Sequence, residues 1–157
     1  MQYPTGLLAD LLIKKAWMLC TAESCTGGLL GAACTDLSGS SQWFERGFIT
    51  YSNASKVELL GLDPALIERY GAVSEPVARA MAMGARSHSL AQVAVAVTGI
   101  AGPGGATPDK AVGTVCFGFV WGSEQISTEV CHFAGDRAQI RQAAVHHGLT
   151  RLVEILG

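Results

Sequence analysis

One run constrains the fold of this chain more than any other: QVAVAVTG, at residues 92–99. Val93 to Val97 are all apolar, without the polar alternation of a strand that faces water on one side. Such a run belongs to a strand covered on both faces, as in the helix-flanked sheets of α/β proteins. WMLCTAE (17–23) reads as a second buried strand and WFERGFITYS (43–52) as a third, with Trp43, Phe48 and Ile49 expected in the core. GTVCFGFVWG (113–122) and QISTEVCHFAG (125–135) read as a hairpin turning at residues 122–124.

Between these strands the apolar spacing becomes helical. Residues 5–16 carry Leu7, Leu8, Leu11 and Leu12 on one face, with Thr5 as candidate N-cap. Leu29, Leu30, Ala32, Ala33 and Leu37 predict a second helix whose first turn is Cys25–Gly28. SNASKVELLG (52–61) starts at Ser52 or Asn53 and stops at Gly61. DPALIERYG (63–71) repeats that grammar with Asp63, Pro64 and Gly71. Residues 74–90 form a longer helix capped by Ser74, with Met81 and Met83 as core filler, and 136–156 a final helix capped by Asp136. The order α-β-α-β-α-α-α-β-β-β-α implies one domain, residues 1–157, of α/β class: a three-layer α/β/α arrangement around a mixed sheet of about five strands.

Composition limits what such a domain does. It is 49% hydrophobic and 15% charged, enough for a core without disulfides. A net charge of −2 with no Lys/Arg cluster argues against a nucleic-acid surface. The five cysteines (20, 25, 34, 116, 131) form no C-x-x-C pair and have no His at zinc spacing, which fits reduced structural thiols in the cytoplasm and no metal site. No segment reaches the ~18 apolar residues of a spanning helix, and the first residues lack the pattern of a secretion leader. A soluble cytoplasmic enzyme or small-molecule binding module is expected, with no membrane partner.

Ligands of α/β sheets gather at the carboxyl ends of strands. Three polar segments follow predicted strands: ESCTGG (23–28), TYSNASK (50–56) and TGIAGPGG (98–105). Parallel neighbouring strands would bring them into one cleft. In ESCTGG, Ser24 and Cys25 would sit at a helix N-terminus, whose free N–H groups and dipole favour an oxyanion or phosphate. Gly27 and Gly28 would admit a ligand close to the backbone. An ordinary N-cap serine explains the same residues.

A hydroxyl nucleophile needs a base. His88, His146 and His147 fall in predicted helices and His132 in a strand, none beside a glycine loop, and no G-x-S-x-G elbow occurs. Lys56 is the other option: a lysine desolvated in a cleft has its pKa lowered towards that of a proton acceptor. Tyr51 could orient it or relay the proton. A surface lysine on a short helix remains the competing reading. TGIAGPGG lacks the Lys-Ser/Thr of a Walker loop and the G-x-G-x-x-G spacing, although its amides and Thr98 could cradle an anion. In GDRAQIR (135–141), Arg137 and Arg141 lie one helical turn apart and could face the same anion.

Six blocks in order, AESCTGG, GSSQWFERGFITYSNASK, GAVSEPVA, TGIAGPGG, KAVGTV and GDRAQIR, resemble the CinA C-terminal domain family. The likeness runs from about residue 17 to 153. It departs at Ala111, where the family usually has Pro in K-P-V-G, a change of loop stiffness rather than chemistry. The N-terminal molybdopterin-binding-like domain of full-length CinA proteins has no counterpart in these residues. The resemblance implies hydrolysis of the carboxamide of nicotinamide mononucleotide to nicotinic acid mononucleotide and ammonia, without cofactor or metal. It implies Ser24 as nucleophile, ahead of Cys25, with Lys56 and Tyr51 beside it. Amides of Cys25, Thr26, Gly27 and Gly28 or of the loop with Thr98, Gly99, Ala101 and Gly102 would hold the oxyanion. Arg137, Arg141, Thr98 and the turn Gly39, Ser40, Ser41 are phosphate-site candidates. A homo-oligomer is implied by the resemblance alone. The competing reading from another class is a nucleotide-binding or competence-associated module with the same fold and little turnover.

Overall fold

A computed structural model describes residues 2–157; Met1, the first residue of the expected 1–157 domain, lies outside the described residues. The elements run α1 (Thr5–Lys15), β1 (Leu19–Glu23), α2 (Leu29–Thr35), a 3-10 turn (Ser40–Gln42), β2 (Phe44–Ile49), α3 (Asn53–Leu60), α4 (Pro64–Tyr70), α5 (Glu75–Ser87), β3 (Val93–Gly99), β4 (Thr114–Trp121), β5 (Gln125–His132) and α6 (Arg137–Leu156). The five strands form one mixed sheet in the order β2-β1-β3-β4-β5. β2, β1 and β3 are parallel, and β4 and β5 continue antiparallel. Crossing over through α2 and through α3–α5 is what keeps the first three strands parallel.

The VAVAV run encodes two different faces. Val93, Val95 and Val97 belong to the core shared with α1, α2 and α6. Ala94 and Ala96 belong to the core shared with α3, α4 and α5. Small side chains on the second face let α5 lie close to the sheet. At Gly118 on β4, an added Cβ would stand 2.3 Å from the Ala78 carbonyl oxygen of α5. A larger residue at either place would overpack this face, at a cost of roughly 1–3 kcal/mol.

Helix boundaries follow the caps. Ser52, Asp63, Ser74 and Asp136 each accept a hydrogen bond from a first-turn N–H, and Ser52 and Asp136 complete capping boxes with Ser55 and Gln139. Four expectations are corrected. Thr5 lies inside α1, and Pro4 at its cap offers no side-chain bond. α2 begins at Leu29, so Cys25–Gly28 is a turn before the helix rather than its first turn. Phe48 packs only partly against the α3–α5 core and Ile49 is 54% exposed, because β2 is an edge strand. Met81 is buried but Met83 is 43% exposed, lying off the stripe 77, 78, 81, 82, 85 that faces the sheet.

Candidate active site

The carboxyl ends of β1, β2 and β3 lie side by side, and the loops that follow them enclose a cleft of about 310 Å³. Ser24, Cys25, Tyr51, Lys56, Thr98, Gly99, Ala101, Gly102 and Arg137 line it, together with Asn53, Ala72 and the glycines 104 and 105. The convergence expected from strand order is therefore present.

Its floor is a serine–lysine pair. Lys56, on the first turn of α3, is 1% exposed, and its Nζ lies 3.0 Å from Ser24 Oγ. The same Nζ donates to the carbonyl oxygens of Thr50 at 2.8 Å and Tyr51 at 3.4 Å. Among the described residues no carboxylate pairs with it. Burial lowers the pKa of this ammonium, with only the Cys25 thiol opposing. The neighbouring thiol shifts the other way: burial pushes Cys25 up to about 12, leaving it protonated at ordinary pH.

The backbone carrying Ser24 is held by a residue that sequence reasoning passed over. Glu23, 1% exposed, accepts from the N–H groups of Gly28, Leu30 and Gly31 and from the hydroxyls of Thr26 and Thr21. Its carboxylate thus occupies the N-terminus of α2, the place expected to receive a ligand anion. Gly27 and Gly28, with φ of 57° and 106°, allow the chain to curl round that carboxylate and do not line the cleft. Thr26 likewise faces Glu23, not the cleft. The signal was present in the sequence as an acidic residue ending a buried strand just before a helix.

The rim is built from α6. Arg137 donates to the Gly102 carbonyl at 2.8 Å and to the Tyr51 hydroxyl at 3.3 Å. Tyr51 therefore meets Lys56 through its carbonyl, while its phenol, on a side chain 61% exposed, meets Arg137. Arg141 does not share an anion with Arg137. It donates to the carbonyls of Cys25 and Thr26 at 3.0 and 3.1 Å, bracing the Ser24 turn from behind. Thr98 donates to the Ala72 carbonyl at 2.9 Å. Gly39, Ser40 and Ser41 precede β2 and so lie at the amino end of the sheet, opposite the cleft, with Gly39 in a separate depression beside α1. The donor group Glu129, Cys131 and His147 also lies outside the cleft lining.

The sequence model of the CinA C-terminal domain matches residues 4–156. The chain belongs to the CinA C-terminal domain family. Within it, the chain is 52% identical to the nicotinamide-nucleotide amidohydrolase PncC of Enterobacter agglomerans over 146 residues, 92% of this chain and 89% of that protein. It is 48% identical to a CinA-like protein of Chlorobaculum tepidum, covering 95% of this chain and only 37% of that longer protein. Its fold superposes on a CinA superfamily protein from Escherichia coli with a TM-score of 0.93 at 38% identity, covering 96% of this chain and 87% of the other. A competence/damage-inducible protein from Agrobacterium tumefaciens gives 0.93 at 36% identity over 100% and 99% of the two chains. These likenesses bear out the expected family and the three-layer fold. No helix among the described residues is long and apolar enough to cross a membrane.

Proposed function

We propose that this chain is a cytoplasmic amidohydrolase domain that converts nicotinamide mononucleotide to nicotinic acid mononucleotide and ammonia through a Ser24–Lys56 pair. The observation that carries the reading is the buried, carboxylate-free Lys56 3.0 Å from the Ser24 hydroxyl. The relative named for this activity, 52% identical over most of its length, supplies the substrate.

A neutral amine has two N–H donors and one lone pair. Here the carbonyls of Thr50 and Tyr51 take the two donors, which leaves the lone pair facing Ser24 Oγ. Ser24 gives its proton to Lys56 as Oγ bonds to the carboxamide carbon. The oxyanion forms beside the N–H of Cys25, which among the described residues makes no hydrogen bond to a backbone carbonyl. The positive pyridinium ring makes its carboxamide more electrophilic. Lys56 then passes the proton to the departing nitrogen, ammonia leaves, and water activated by the same amine cleaves the ester. Arg137, at the rim, binds the nucleotide phosphate, and the Tyr51 phenol positions that guanidinium. The native unit is a homo-oligomer.

Ammonia release from nicotinamide mononucleotide tests this. Ser24→Ala should lose about a thousandfold or more in kcat, whereas Cys25→Ala should stay within about threefold of the starting protein, its thiol being protonated. The proposal is falsified if activity survives Ser24→Ala and disappears with Cys25→Ala. Tight nucleotide binding without any ammonia would instead establish the binding-module reading.

A further inference from the structure

Glu129 and Cys131 stand two residues apart on β5, hence on one face of the strand, and that face meets α6 at His147. His147 Nε2 lies 2.5 Å from Glu129 Oε1 and 3.3 Å from Cys131 Sγ. All three donor atoms fall within 4.8 Å of one another. We propose that these residues form a binding site for a borderline-soft divalent cation, with Zn²⁺ the best fit, separate from the hydrolytic cleft.

One imidazole nitrogen faces two partners. When Nε2 carries a proton it donates to Glu129, and the Cys131 sulfur is left without an acceptor on the ring. When Nε2 carries its lone pair it accepts from the thiol, and that lone pair then confronts the carboxylate. A cation at the common focus satisfies imidazole, thiolate and carboxylate together, with the thiol proton released to solvent. Tetrahedral zinc with ordinary bond lengths sets ligand atoms ~3.4–3.6 Å apart. The sulfur–nitrogen separation is already within a few tenths of that, and the oxygen–nitrogen pair needs to open by about 0.8 Å.

The surroundings are those of a ligand set held in place. Arg151 Nε donates to Glu129 Oε2 at 3.2 Å, leaving Oε1 for the metal. The rings of Phe117 and Phe133 pack on the His147 imidazole, with centroids 4.7 and 5.9 Å away, and fix its plane. All three ligands are half-buried, so a cation can reach them from solvent. Mixed nitrogen, sulfur and oxygen donors exclude Mg²⁺ and Ca²⁺, which take oxygen. Spacing rules miss the site because E-x-C sits on a strand and the histidine sixteen residues later on a helix. Occupied, it ties the edge strand β5 to α6, the helix that carries Arg137 to the cleft.

The test is titration of untagged, metal-stripped protein with Co²⁺ and with Zn²⁺. One equivalent of Co²⁺ should produce a thiolate-to-metal charge-transfer band, and one equivalent of Zn²⁺ should abolish it. Cys131→Ser should lose the band, and His147→Gln and Glu129→Gln should each weaken Zn²⁺ binding at least tenfold. Zn²⁺ should raise the Tm of the unsubstituted protein and leave that of Cys131→Ser unchanged. If Cys131→Ser does not fold, alkylation of Cys131 in the unsubstituted protein replaces it: Zn²⁺ should slow that reaction at least tenfold. No band in the unsubstituted protein, a band retained in Cys131→Ser, or alkylation indifferent to Zn²⁺ overturns the proposal.

Discussion

Glu23 and Lys56 are both 1% exposed and lie on either side of the Ser24 turn, yet the structure treats them in opposite ways. Glu23 receives three backbone N–H groups and two hydroxyls, so its charge is compensated by fixed dipoles. Lys56 receives two carbonyls and a hydroxyl, no carboxylate, and a pKa lowered by burial. A buried charge saturated with partners holds backbone in place. A buried amine left without a counter-ion is pushed towards its neutral form, in which it can take a proton.

Three substitutions sharpen or break that contrast. Lys56→Met keeps the volume and removes the amine. Ammonia release should fall by about a thousandfold or more, while the Tm stays level or rises, because an uncompensated buried cation is no asset to stability. A large drop in Tm would place Lys56 with the structural groups. Glu23→Ala should do the reverse: it strands buried N–H donors at the start of α2 and should cost about 4 kcal/mol. For a chain of this size that is a fall in Tm of roughly 10 °C, read by thermal melting, and an unchanged melt would remove Glu23 from this account. The smallest effect is expected at the rim. Arg137→Ala should raise KM for the mononucleotide about tenfold with little change in kcat, and should not alter KM for the phosphate-free riboside. Equal effects on both substrates would move the phosphate site elsewhere.

Much of this was legible in the sequence, for reasons that differ by element. The unbroken VAVAV run declared a strand covered on both sides, and the side-chain caps at 52, 63, 74 and 136 placed four helix starts. The candidate cleft was legible because three polar segments followed three strands that turned out parallel. What escaped depends on which partner a group finds in space. Glu23 drew no role of its own, because an acidic residue before a helix is a weak signal until the N–H groups that bind it are seen in space. Arg137 and Arg141 looked equivalent on the helix, but one reaches the cleft and the other the back of the Ser24 turn. Gly39, Ser40 and Ser41 resembled an anion-binding turn, yet a segment preceding a parallel strand lies at the wrong end of the sheet.

The role of Lys56 is tested most directly by the pH dependence of kcat/KM, which reports the ionisations of the free protein. The base must be unprotonated, so activity should rise with pH, and the lowered Lys56 pKa places the midpoint below the ordinary lysine value of 10.5. The same shift means the folded chain holds this proton less tightly than the unfolded one, so stability should rise with pH between that midpoint and 10.5 and the rise should vanish in Lys56→Met. A rate that climbs through a single midpoint below 10.5 supports Lys56 as the base for Ser24. A flat profile, or one whose midpoint follows the Cys25 thiol near 12, contradicts it.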